Sequence, residues 1–273
     1  MFIFADPRHI RESGDTSGEV LKMSKKRPGV EAAVRLAASL DITIWENVEA
    51  QLDEVVSSIK NLDKWNVAFR DLGIKFQNLN QEGSSYCSIS KKELLDIIEW
   101  KFAVGKPRRA LMKHLNSNSE NNVKQCSSQA IAKARCITPQ NGDILETAAA
   151  SPVALQEAIE DLLELKGVGP ATASAILTLV RPDIFCFMYD EVIDCFQPKR
   201  TYTLPVYLAV NAECLKISKS LPGWNASRVA QALWIAARVC ASGGQDQTTG
   251  TKHSASKMDG NEAKRVSKRR RKV

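Results

Sequence analysis

Residues 162–180 read Leu-Leu-Glu-Leu-Lys-Gly-Val-Gly-Pro-Ala-Thr-Ala-Ser-Ala-Ile-Leu-Thr-Leu-Val, and no other stretch narrows so far what the chain can become. An apolar helix end runs into Gly167-Val168-Gly169, and Pro170 opens a second helix of small residues. Glycine admits the left-handed conformations and close approaches that a tight hairpin needs. Proline suits the first helical position because its missing N–H would have no partner there. The amides beside such a start face outward at a helix N-terminus that carries roughly +0.5 of an elementary charge. That arrangement favours an anion, and a phosphate fits it. A plain turn between two packed helices is the other use of the same residues.

The second helix is followed by Arg181-Pro182-Asp183-Ile184-Phe185-Cys186-Phe187-Met188-Tyr189-Asp190-Glu191-Val192. Pro182 stops the helix, and an apolar loop then delivers Asp190. Hairpin, proline-containing loop and aspartate at this distance resemble the helix-hairpin-helix DNA glycosylase superfamily. Asp190 aligns with that family's catalytic aspartate without a gap from Gly169 onward, while Lys166 stands where the family's hairpin usually has proline. A softer likeness continues through Pro222-Gly223-Trp224-Asn225-Ala226-Ser227 and the helix carrying Leu233-Trp234. The resemblance spans about residues 151–242 and implies a mainly α, two-lobed helical bundle with a DNA cleft between its lobes. It also implies DNA contacts at Lys166, Gly167, Val168, Gly169, Ala171 and Thr172, and a monomer acting on double-stranded DNA with a flipped base.

Breaking an N-glycosidic bond leaves a sugar with oxocarbenium character, which a carboxylate in a dry cleft stabilises while orienting water. Asp190 suits that role; it also suits the N-cap of a short helix from Glu191 to Phe196, since aspartate is a favoured cap. Family members that also cut the strand carry a nucleophilic lysine two residues after the second hairpin glycine. Ala171 occupies that place, so the expectation is a monofunctional enzyme of base excision repair that uses water. The alternative is a catalytically inactive helix-hairpin-helix module that binds DNA or protein. Cys195, Cys214 and Cys240 are too few and too dispersed for the family's iron-sulfur branch. The histidines, at 9, 114 and 253, suggest no zinc site. No cofactor and no metal are therefore expected.

Trp100-Lys101-Phe102 and Gly105-Lys106-Pro107-Arg108-Arg109 set an aromatic beside several cations. Trp100 and Lys101 are candidates for a base pocket or phosphate track, with burial of Trp100 in the core the blander use. Tyr189 is placed either in a pocket wall or in packing. Trp45, Trp65, Trp224 and Trp234 lie on apolar stripes and are expected in the core.

The net charge of +7 is concentrated at one end: residues 252–273 hold nine Lys or Arg against Asp259 and Glu262, a surplus equal to that of the whole chain. The body is then neutral, and its contact with a polyanion must be local. A tail this charged is expected to be disordered, and its Lys264-Arg265 and Lys268–Lys272 clusters suit a nuclear import receptor as well as non-specific phosphate attraction. The seven cysteines are odd in number and in no close pairs, as in a reduced intracellular protein. No secretory signal or membrane segment is expected, because Met1–Ala5 is too short and no apolar run approaches ~20 residues.

These features divide the chain into a flexible N-terminus (1–27), a helical domain (28–242, with the hairpin over 152–180 and the aspartate loop over 181–190) and the basic tail (243–273). Within the domain, Pro28 precedes a helix with Val30, Ala33, Val34 and Leu36, and Ile44 to Val56 forms a second amphipathic stripe. Ser90-Lys91-Lys92-Glu93 is a capping box, and Pro107 starts a short basic helix. Residues 116–127 form a polar connection with a helical stretch at Ala130–Ala134. Ser151-Pro152 caps the hairpin's first helix, and Ala173, Ile176, Leu177 and Val180 make the buried face of its second. By the resemblance, residues 91–200 form the hairpin lobe, with 28–90 and 203–242 opposite.

Overall fold

The computed structural model describes residues 29–81, 87–137 and 152–243. The expected flexible N-terminus, Ser151 and the basic tail from residue 244 lie outside the described residues. All regular structure within them is helical: α1 (Val30–Ala37), α2 (Ile42–Glu49), α3 (Leu52–Ser58), α4 (Leu62–Gln81), α5 (Lys91–Val104), α6 (Leu111–Asn116), α7 (Glu120–Cys136), α8 (Pro152–Leu163), α9 (Pro170–Val180), α10 (Asp190–Phe196), α11 (Leu204–Lys219) and α12 (Ala226–Gly243). No helix among the described residues is long and apolar enough to cross a membrane.

Local chemistry sets several helix starts. Asp41 caps α2, its Oδ1 accepting the Thr43 amide at 2.9 Å. At α5 both halves of the capping box are made: Ser90 Oγ accepts from the Glu93 amide, and Glu93 Oε2 accepts from the Ser90 amide at 2.7 Å. Ser119 caps α7 in the same way through the Asn122 amide. The polar connection expected over 116–127 is therefore mostly helix. Val123, Ser127, Ala130, Ile131 and Ala134 recur at helical spacing as its buried stripe, and that burial outweighs the weak intrinsic preference of the Asn and Ser residues. The stripe from Ile44 to Val56 is two helices, interrupted at Ala50-Gln51. The short basic helix begins at Leu111, not at Pro107, and α4 has no counterpart among the expected helices.

The helices pack as two groups. In one, α9 lies at the centre with α4, α5, α7 and α8 against it, and α8 runs along α7; in the other, α12 collects α1, α2, α3, α10 and α11. The boundary differs from the division expected above, because α4 packs on α5 and α9, while α10 packs on α1, α11 and α12. The hairpin and Asp190 thus come from opposite groups. Every residue of α9 from Ala171 to Val180 is buried, so its apolar face is not one stripe but the whole circumference. Its Ala, Ser and Thr residues let neighbouring helices approach on all sides.

Burial all round also explains how the loop to Asp190 is tolerated. Residues 184–189 are buried without regular structure, and buried backbone groups need partners. Side chains supply them: Ser174 Oγ accepts from the Met188 amide at 3.1 Å, Thr178 donates to the Phe185 carbonyl at 2.9 Å, and Asn211 accepts from the Cys186 amide and donates to the Ile184 carbonyl, both at 2.9 Å. A row of rings crosses from one group to the other behind the loop. Phe69 stacks on Trp100 (3.7 Å between centroids), Trp100 meets Phe187 (4.8 Å), Phe187 meets Tyr189 edge-on (4.6 Å), and Tyr189 stacks on Trp234 (5.3 Å).

Candidate functional site

The hairpin between α8 and α9 divides its work between two glycines. Gly167 has φ of 82°, and a Cβ there would meet His114 Cβ and Leu115 Cγ at 3.2 Å. Gly169 is extended, with φ of −121°, and a Cβ there would meet nothing within 4 Å. Only Gly167 answers the sequence expectation of a left-handed turn. Gly169 instead leaves space open at the start of α9. Its carbonyl accepts the Thr172 and Ala173 amides at 2.8 and 2.9 Å. Among the described residues, the amides of Gly167, Gly169 and Ala171 have no acceptor, and Pro170 has none to offer. Unsatisfied donors at a helix N-terminus are the ordinary complement of an anion.

Asn118, which the sequence did not single out, clamps the turn. Its Oδ1 accepts the Lys166 amide at 2.9 Å, and its Nδ2 donates to the carbonyls of Lys166 (2.9 Å) and Leu115 (3.0 Å). The Lys166 side chain itself is exposed, Val168 packs inward, and Thr172 is buried. Replacing Asn118 by the isosteric leucine leaves the Lys166 amide and carbonyl without partners, while the Leu115 carbonyl keeps the Asn118 amide. The expected result is a loss of about 2–3 kcal/mol, read as a melting temperature lower by roughly 5–10 °C for a domain of this size. A variant melting with the wild type would show that the clamp contributes nothing.

The hairpin forms one wall of a cleft of about 600 Å³, which is also lined by Lys101, Lys106, Arg108, Phe187, Tyr189, Asp190, Glu191, Arg200 and Tyr202. Asp190 is the first residue of α10, whose N-cap is Tyr189. The Asp190 carboxylate therefore does not cap this helix, in contrast to the capping role weighed from sequence. Its Oδ2 accepts from Arg200 Nη1 at 2.6 Å, and its Oδ1 accepts from the Tyr202 hydroxyl at 2.7 Å. Arg200 is shared with Asp194, one turn along the same helix face, through Nε and Nη2. Two carboxylates and one guanidinium leave a single net negative charge. The hydrogen bonds that Arg200 donates to Asp194 first, and both carboxylate charges against the opposing cost of burial, hold the guanidinium well above its usual range. Burial, then its bond to Asp190, keeps the Tyr202 phenol protonated and donating. Arg108 lies over the Tyr202 ring, 4.7 Å from its centroid.

The three residues proposed for a pocket or phosphate track separate. Trp100 is 3% exposed and belongs to the aromatic row, its indole N–H donating to Asn66 Oδ1 at 3.3 Å, so it does not face the cleft. Tyr189 is 4% exposed; it borders the cleft but spends its faces on Phe187 and Trp234, and burial pushes its phenol up. Lys101, on the last turn of α5, does line the cleft. Burial first and Arg108's charge second lower its pKa, against the pull of Asp190. Burial also raises the Glu191 carboxyl, which Arg238 opposes from 2.8 Å. Trp45, Trp224 and Trp234 are buried, whereas Trp65 is only half-buried.

Arg200 and Tyr202 were not legible as site residues, whereas Arg108, which lines the cleft, belongs to the cationic patch after Trp100 that the sequence had set out. The one available signal was the i, i+4 spacing of Asp190 and Asp194, which places two carboxylates together on one helix face and calls for a cation between them. Comparison with family models, with curated proteins and with solved structures finds no match.

Proposed function

We propose that the cleft binds double-stranded DNA and that the chain is a monofunctional N-glycosylase of base excision repair, with the two helix groups as the lobes of a helix-hairpin-helix glycosylase. One observation carries the reading: three unsatisfied hairpin amides and an anchored carboxylate, from opposite helix groups, line the same cleft. The amides of Gly167, Gly169 and Ala171 take a backbone phosphate. A flipped nucleotide then stands between hairpin and α10, and Asp190, held by Arg200 and Tyr202, faces the positive charge that develops at C1′ as the base leaves. Ala171 offers no amine, so water completes this step. The test is a panel of duplexes carrying uracil, hypoxanthine, alkylated purines or oxidised bases, scored for alkali-labile abasic sites. Excision of at least one lesion is expected.

A second reading, a DNA- or protein-binding module without catalysis, is favoured by the fact that both oxygens of Asp190 are already bonded and its charge is largely met by Arg200. Tight duplex binding with no excision on any lesion would select it.

The basic tail is the expected source of nuclear import and of much of the salt-dependent affinity, since the body is neutral. If all nine tail cations met phosphates, the slope of log K against log salt would steepen by about 8. Deleting residues 252–273 is expected to flatten the slope and to move the protein from nucleus to cytoplasm. An unchanged distribution by fluorescence microscopy would remove the import role.

A further inference from the structure

Arginine carries its donors on two edges, and the way one guanidinium divides them between two carboxylates decides how much charge each acid keeps. Arg200 turns its Nε–Nη2 edge to Asp194, with Nε donating to Oδ1 at 3.0 Å and Nη2 to Oδ2, and gives Asp190 Nη1 alone, at 2.6 Å. The two-point contact is the stronger. It is also the deeper, since the Asp194 side chain is 6% exposed against 19% for Asp190. Asp190 and Arg200 line the cleft, whereas Asp194 does not reach it. Joining the segment after α10 to that helix takes one carboxylate; here two, a turn apart, share the same cation.

We propose that Asp194 is a positioning residue for base excision: by claiming the two-donor edge of Arg200 and matching its charge, it leaves Asp190 held in place yet still negative toward the cleft. The inference rests on the enzymatic reading above, because a surplus negative charge matters where a cation develops at C1′. The rest of the lining supplies no such surplus. Lys101, Lys106 and Arg108 are cations, and Glu191 is met by Arg238 at 2.8 Å. Tyr202 anchors Oδ1 of Asp190 as a neutral donor and cancels nothing. Without the Asp194 charge, Arg200 is free to turn its paired edge to Asp190. The cluster then falls from one net negative charge to none, and the developing cation faces a neutral pair.

The experiment measures excision by the full chain, at a range of protein concentrations up to saturation, on duplexes carrying uracil, hypoxanthine, an alkylated purine or an oxidised base. It compares the wild type with Asp194→Asn and with the double variant Asp194→Asn/Arg200→Gln, which restores the single negative charge while Tyr202 still holds Asp190. On a lesion that the wild type excises, Asp194→Asn is expected to slow the saturated rate by about tenfold or more, with the half-saturating concentration unchanged or lower. The double variant is expected to recover most of that loss. An ion pair that serves only stability gives the opposite order, because the double variant loses both partners. Wild-type excision by a folded Asp194→Asn, or a double variant no faster than the single one, overturns the proposal and leaves the enzymatic reading standing. No excision by the wild type removes both. Circular dichroism checks each fold, and should the asparagine variant not fold, Asp194→Ser removes the same charge and is held to the same outcomes.

Discussion

Asp190→Asn is expected to reduce base excision by about 100-fold or more while duplex affinity holds or rises, because it removes a charge that matters most in the transition state. The structural alternative predicts a different pattern. Arg200 keeps Asp194 in the variant, and the half-buried pair with Asp190 (side chains 23% and 19% exposed) is of the kind worth about 1 kcal/mol. A purely structural Asp190 therefore costs a small amount of stability and leaves excision intact. Asparagine preserves shape and can still accept from Tyr202, so the comparison isolates charge. Equal excision by wild type and variant would falsify the catalytic role. Tyr202→Phe provides a milder companion, since it frees one carboxylate oxygen without changing the charge.

The second large effect separates the two hairpin glycines. Gly169→Val is expected to fold, with its helical circular dichroism unchanged, and to lose duplex binding in a mobility-shift assay. Its side chain enters space that no protein atom occupies, which is the space a phosphate would take beside the free amides. Valine is a poorer N-cap than glycine, a cost of about 1 kcal/mol that a domain of this size withstands. Gly167→Ala is expected to show the opposite. A left-handed φ costs a β-carbon roughly 1–2 kcal/mol, and His114 and Leu115 must also shift, so stability falls while the cradle's open face remains. Binding that survives in a folded Gly169→Val protein would reduce the hairpin to a packing turn.

What the sequence disclosed and what it withheld have a common physical explanation. Gly167, Pro170 and the Ser90–Glu93 box act through neighbours a few residues away, and their consequences are written in adjacent letters. The buried stripe of α7 was masked because Asn and Ser on its exposed side look like loop composition, although Val123, Ser127, Ala130 and Ala134 kept the helical interval. Asn118 and Lys166 meet across 48 positions, and Arg238 donates to the Val104 carbonyl across 134; contacts at such range leave no local trace. The same holds for the site. Asp190 was found by its spacing from the hairpin, whereas Arg200 and Tyr202 matter only because the chain after α10 turns back over it. Trp100 and Lys101 are adjacent letters with opposite fates, since on a helix consecutive residues point about 100° apart; one faces the core and the other the cleft.

The row of rings from Phe69 to Trp234 bears on how any long ligand would be accommodated. It spans both helix groups immediately behind the cleft, and close-packed aromatic contacts of this kind resist shear and opening alike. The jaws cannot hinge apart without unstacking it. The distance between the hairpin and the Asp190 carboxylate is consequently a fixed gauge, and if the guest is the duplex proposed above, the burden of distortion passes to it: a stiff, well-paired duplex would have to be kinked to bring a sugar within reach, while one already weakened by a mismatch or lesion would yield at lower cost. Selection would then begin with mechanical compliance, before any base is read.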